Sequence, residues 1–134
     1  MAGTGGCRCG AVRFRYQGQP VATRLCWCRD CQYWASGNAT MNIIVPQAGL
    51  AIEGAPAHYD SSADSGHHMR RSFCAACGTQ LLSQSLENTE FIVVRVGALD
   101  HAEGIRPEAV IWTSSAPEWA LFDPALPRFP KGAT

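Results

Sequence analysis

Apolar and polar residues alternate with a period of two along short stretches of this chain, and helical periodicity is weak throughout. Ala11-Val12-Arg13-Phe14-Arg15-Tyr16 alternates and then meets Gln17-Gly18, which predicts a half-buried strand closed by a turn. Met41-Asn42-Ile43-Ile44-Val45 predicts a second strand, stopped by Pro46, and Leu50-Ala51-Ile52-Glu53-Gly54 a third. Ala57-His58-Tyr59-Asp60, Met69-Arg70-Arg71-Ser72-Phe73 and Gln80-Leu81-Leu82-Ser83-Gln84 follow. Phe91-Ile92-Val93-Val94-Arg95-Val96 is the strongest strand signal, because β-branched side chains suit the pleated backbone. Ala109-Val110-Ile111-Trp112-Thr113 is the last. One helical turn could start in Ser115-Ala116-Pro117-Glu118-Trp119-Ala120, and Ser36, Asn38 and Thr40 read as loop. The proline-rich stretch from Pro124 to Pro130 predicts an extended surface wrap. The expected class is mainly β, with two or three small sheets in a single domain spanning 1–134.

Composition narrows the function classes. The chain is 46% hydrophobic, which suits one modest core. Eleven basic and eleven acidic side chains cancel, so nothing in the bulk charge attracts nucleic acid. No apolar run approaches the roughly 20 residues that span a bilayer, so no membrane is expected. Met1-Ala2-Gly3-Thr4-Gly5-Gly6 has neither a charged n-region nor an apolar stretch, so no signal peptide is expected and the location reads as cytoplasmic.

The cysteines carry the chemistry. All seven fall into tight clusters: Cys7-x-Cys9, Cys26-x-Cys28-x-x-Cys31 and Cys74-x-x-Cys77. An odd count rules out a complete disulfide set, and thiols in a reducing compartment that cluster this way point to metal or redox chemistry. Cys26, Cys28 and Cys31 lie so close in sequence that they close on one cation. The two remaining pairs together complete a tetrahedral four-sulfur site from Cys7, Cys9, Cys74 and Cys77, each pair followed by a turn-forming glycine, Gly10 or Gly78. That site joins distant segments and should contribute folding energy directly. The triplet leaves a fourth position for water or substrate, as catalytic zinc does. Two other readings stay open for it: closure by a histidine (His58, His67, His68 and His101 are the candidates), or a metal-free redox thiol set. Ligand type alone also leaves nickel or iron open. With zinc in both sites the net charge falls to about −3, which disfavours a polyanionic partner further.

These motifs resemble the glutathione-dependent formaldehyde-activating enzyme family. The match runs from Gly5-Gly6-Cys7-Arg8-Cys9-Gly10-Ala11-Val12-Arg13-Phe14 through Cys26-Trp27-Cys28-Arg29-Asp30-Cys31 and Arg71-Ser72-Phe73-Cys74-Ala75-Ala76-Cys77-Gly78-Thr79-Gln80-Leu81 to Val96-Gly97-Ala98-Leu99-Asp100, with Trp119 as a late tryptophan. The resemblance implies a zinc-stapled β-tent fold. It implies a structural zinc on Cys7, Cys9, Cys74 and Cys77 and a second zinc on Cys26, Cys28 and Cys31, which would be the catalytic residues. It also implies carbon–sulfur lyase chemistry, the condensation of formaldehyde with glutathione to S-hydroxymethylglutathione. The chain departs from the family pattern at Trp27 and Val110, where histidine is common, and at Gln32, where a basic residue is usual. Those departures fall near the expected second site and bear on substrate rather than fold.

Other side chains admit two readings each. Arg70 and Arg71 either fork a carboxylate of a glutathione-like ligand or sit solvated on a strand. His67 and His68 either shuttle protons or are plain surface residues. Trp27, Tyr33 and Trp34 either wall the open metal position or pack in the core; Trp112 and Trp119 read as core, and Asp100 as a turn cap. The expected partners are a small thiol such as glutathione and an aldehyde. Exposed edges of small sheets often pair, which leaves a homodimer open. Rival classes are a non-catalytic zinc module, a glutathione or aldehyde carrier, and a thiol or zinc sensor.

Overall fold

A computed structural model describes residues 2–133; Met1 and Thr134, the ends of the span read as one domain, lie outside the described residues. Among the described residues ten strands and one α-helix follow in chain order: β1 (Ala2–Gly6), β2 (Arg13–Gln17), β3 (Ala22–Cys26), α1 (Arg29–Trp34), β4 (Thr40–Pro46), β5 (Ala51–Glu53), β6 (Ala57–Ser62), β7 (His68–Phe73), β8 (Gln80–Ser85), β9 (Phe91–Arg95) and β10 (Ala109–Ile111). They build a three-stranded sheet, β1-β2-β5, and a seven-stranded sheet, β10-β3-β4-β9-β8-β7-β6. The expectation of a mainly β fold is met. Every pairing is antiparallel except β10 on β3. Among the described residues, no helix is long and apolar enough to cross a membrane.

Alternation along the strands gives the large sheet two different faces. One face presents Ile43 and Val45 from β4, Leu82 from β8, and Ile92 and Val94 from β9. These pack with Val12, Phe14 and Tyr16 on or beside the small sheet, and Ile43, Val45 and Val94 are wholly buried. Burying each such side chain contributes about 1.5–3 kcal/mol. The opposite face is where the chemistry collects. The register lines up Arg24, Asn42 and Arg95 across β3, β4 and β9. A second row runs Ile44, Val93, Ser83, Arg71 across β4, β9, β8 and β7.

Three departures from the sequence reading have physical reasons. β1 forms from a glycine-rich stretch with little strand propensity, because a Cβ at Gly5 would collide with the Ala98 carbonyl and the Phe14 ring. Thr40 begins β4 instead of lying in a loop, since it pairs with Cys26. The single helical turn expected at 115–120 gives way to a 3-10 turn at Thr113–Ser115. The proline-rich tail does wrap the surface. It runs along β10, with Val110 N–H donating to Pro127 O at 2.9 Å and Phe129 N–H to Val110 O at 2.9 Å, and so covers that sheet edge.

Candidate metal centres

The turn after β1 and the turn after β7 meet at one end of the two sheets. There the sulfurs of Cys7, Cys9, Cys74 and Cys77 all lie within 4.8 Å of one another. Cys7 Sγ is 3.6 Å from Cys9 Sγ, and Cys9 Sγ is 3.7 Å from Cys74 Sγ. A tetrahedron with arms of about 2.3 Å has edges of about 3.8 Å, whereas a disulfide would need about 2.05 Å. The spacing therefore fits a tetrahedral cation and excludes S–S bonds. Each turn is closed from within: Gly10 N–H donates to Cys7 O at 3.1 Å, and Gly78 N–H to Cys74 O at 2.8 Å. Both glycines hold positive φ, +84° and +79°. Val12 N–H also donates to Cys7 Sγ at 3.2 Å and draws that thiol's pKa down. The Thr79 hydroxyl, with its own backbone and that of Cys9 beside it, holds Cys77 at about 5. Cys9 goes the other way. The Ala11 N–H lowers it, but the neighbouring sulfurs of Cys7, Cys74 and Cys77 outweigh that and push it up to about 11. Four sulfurs so crowded cannot all ionise unaided, and a divalent cation would remove the conflict.

The second group is built from a single stretch. Cys26 ends β3, Cys28 caps α1 and Cys31 sits one turn into that helix. Cys31 N–H donates to Cys28 Sγ at 3.3 Å, so the cap sulfur replaces the usual hydroxyl or carboxylate oxygen. All three are buried and within 4.8 Å of one another; among the described residues no histidine, aspartate or glutamate joins the group. His58 pairs instead with Ser72, His68 with Glu87 and His101 with Glu103. Hydrogen bonds from the Cys26 and Cys28 thiols hold Cys31 down at about 2, with the Arg95 charge adding to them. Cys26 is pushed up by the same crowding. The donor set fits one thiophilic divalent cation with a position to spare.

The three cysteines line a cavity of about 180 Å³ on the face of the large sheet opposite the small sheet. Its walls include Trp112, Ile111, Asn42, Ser83 and three arginines, Arg24, Arg71 and Arg95. Arg71 and Arg95 are only 3% and 6% exposed.

Several sequence expectations change here. Arg70 is tied in a two-bond fork to Asp60, at 2.9 and 2.8 Å, away from the cavity, while Arg71 lines it. Trp112 is cavity wall rather than core. Trp119 is 62% exposed, its ring edge-on to buried Trp27 at 6.1 Å. Tyr33 is exposed, and Trp34 stands one layer back, beneath the Arg71 guanidinium at 4.6 Å. Asp100 accepts from Thr4 at 2.7 Å and pairs with Arg13, which ties the loop after β9 to the small sheet. None of the departures from the family pattern, Trp27, Gln32 or Val110, lines the cavity. Gln32 is buried and donates to Trp27 O and Ser115 O at 2.7 and 2.9 Å, so it braces α1 against the C-terminal segment. Sequence reasoning missed Arg95 and Arg24. The one local hint was at Arg95, a charged residue ending an otherwise apolar strand; nothing local marks Arg24.

The family model of the glutathione-dependent formaldehyde-activating enzyme matches residues 2–115. The chain belongs to that family. Among solved structures, the crystal structure of a Rhodobacter sphaeroides protein, a structural genomics target, resembles this formaldehyde-activating-enzyme family member with a TM-score of 0.58. The two are 25% identical, over 78% of this chain and 91% of that one. No curated protein matches the chain.

Proposed function

We propose that this chain is a zinc-dependent enzyme of the carbon–sulfur lyase type. Its substrates would be adducts of a small thiol, glutathione above all, with an aldehyde such as formaldehyde; S-hydroxymethylglutathione is the type member. In this reading the whole chain, 1–134, is one such domain. Cys7, Cys9, Cys74 and Cys77 hold a structural zinc, and Cys26, Cys28 and Cys31 a second one. The observation that supports it most is the buried triplet, three sulfurs with no fourth protein ligand among the described residues, opening onto a cavity.

Zinc on the triplet would supply a Lewis acid that favours the thiolate form of an incoming fourth sulfur. The rest falls to the chain. The cavity walls orient the thiol and limit water around it. The reaction adds S–H across C=O: a carbon–sulfur bond forms, the carbonyl π pair moves to oxygen, and the sulfur's proton ends there. The reverse direction breaks the same bond, and neither needs an oxidant. The cavity walls carry no carboxylate and no imidazole, so the proton's route lies through the Ser65 and Ser83 hydroxyls or solvent.

The test is exchange spectroscopy on a mixture of the zinc-loaded protein, glutathione and formaldehyde. Adduct exchange should run faster than the uncatalysed reaction. A rate at background, with two zinc ions per chain verified, removes the enzymatic reading and leaves a carrier or binding module.

A further inference from the structure

The cavity above Cys26, Cys28 and Cys31 carries positive charge that the protein does not answer. Arg24, Arg71 and Arg95 line it, and no aspartate or glutamate is among the lining residues. A guanidinium buried as deeply as Arg71 or Arg95 is costly unless an anion meets it. Arg71 has a partial answer. Its Nη2 donates to Asp30 at 3.4 Å and its Nη1 to Ser61 at 3.1 Å. Arg95 has no acidic partner among the described residues: its Nη1 donates to Asn42 Oδ1 at 2.6 Å and Thr40 Oγ1 at 3.3 Å, both neutral. The Nε of each is buried without a hydrogen-bond partner among the described residues. Three thiolates around one divalent cation carry a single net negative charge. Asp30 supplies another, and three arginines still leave one positive charge over.

We propose that this surplus is a carboxylate subsite, so that the thiol substrate is a mercaptocarboxylate with its sulfur on the cysteine triplet and its carboxylate on Arg95 and Arg71. The inference rests on the reading that the triplet receives a thiol. Cavity size supports a compact unit: about 180 Å³ is below the roughly 300 Å³ at which pockets for drug-sized ligands begin. The cavity takes the thiol-bearing end and one carboxylate, and any larger remainder of the molecule stays in solvent. A planar guanidinium fork matches a carboxylate with two parallel hydrogen bonds, and a carboxylate brings the single negative charge that the surplus calls for.

The experiment uses the zinc-loaded full chain with mercaptoacetate, 2-mercaptoethanol and acetate as probes. Calorimetry reads the dissociation constants, and nitrogen-15 spectra read the arginine Nε–H signals. Mercaptoacetate should bind about tenfold tighter than 2-mercaptoethanol, the difference made by a charge-assisted hydrogen bond. Mercaptoacetate and acetate should both move the Arg95 signal. Arg95→Gln should erase the preference, and Arg95→Lys should keep part of it. Arg71→Gln is a second variant, carried on a different strand, in case the first fails to fold. Equal affinity for the two thiols, or arginine signals that neither carboxylate moves, overturns the subsite. If both thiols bind equally well, the subsite falls while the thiol reading survives. If acetate and mercaptoacetate bind equally and both move Arg95 while 2-mercaptoethanol does not bind, the arginines take a carboxylate but the sulfur finds no site, and the mercaptocarboxylate proposal falls with the thiol reading.

Discussion

The two cysteine groups use the same side chain for opposite structural ends. Cys7 and Cys9 follow a strand of the small sheet, and Cys74 and Cys77 follow a strand of the large one. A cation there would tie the two sheets together at one end. Two of its four sulfurs, those of Cys9 and Cys77, are on exposed residues. Cys26, Cys28 and Cys31 come from one short stretch, are all buried, and tie nothing distant together. Closing a long loop removes far more chain entropy than ordering six residues already held by a strand and a helix. On the proposed assignment burial misleads about which group matters for folding: the more exposed cluster would be the structural one, while the more deeply buried one lines the cavity.

Cys74→Ser is the largest break in that comparison. Structural zinc sites contribute about 10–16 kcal/mol of apparent binding energy to folding, as much as the whole stability of a typical domain, about 5–15 kcal/mol. The variant should lose its cooperative melt and its β circular dichroism. A melt within a few degrees of the parent would show that the hydrophobic core alone joins the sheets.

Cys28→Ser should do the reverse. Serine is itself a good helix cap, so the bond from Cys31 N–H to position 28 survives and α1 persists. Zinc per chain should fall from about two to about one, turnover should vanish, and stability should drop by only about 1 kcal/mol. Metal analysis beside a thermal melt checks it; unfolding of this variant would erase the division between the groups.

The two cysteine groups were legible in the sequence for a physical reason. Tetrahedral sulfur coordination forces ligands into short-range pairs, and pairs are visible in one dimension. Strands such as β9 were legible because β-branched runs carry their own preference. β1 was not, because glycines at close backbone contacts have no propensity to read, and β3 was not, because Ala22-Thr23-Arg24-Leu25-Cys26 carries no clean alternation. α1 was missed since six residues capped by a thiol resemble a loop. The arginine lining was hidden for a deeper reason. Arg24, Asn42 and Arg95 become neighbours only through strand register, which no local pattern encodes.

The finest separation of the two groups comes from a residue that is not a ligand in either. Gly104 has φ +83°, and a Cβ there would meet nothing within 4 Å, so Gly104→Ala adds backbone strain and no clash. A positive φ costs an L-residue about 1 kcal/mol, which lowers the melting temperature by about 4 °C at this chain length. The consequence for metal differs between sites. If the four-cysteine zinc is part of folding, its apparent affinity includes the stability of the whole fold, and the loss of about 1 kcal/mol weakens it about fivefold. The triplet would bind its cation within an already folded sheet, so its affinity should not move. Competition against a graded series of chelators resolves the two zinc ions. A fivefold shift in one and none in the other is the expected result; equal shifts in both would mean that the triplet, too, is assembled only as the whole chain folds.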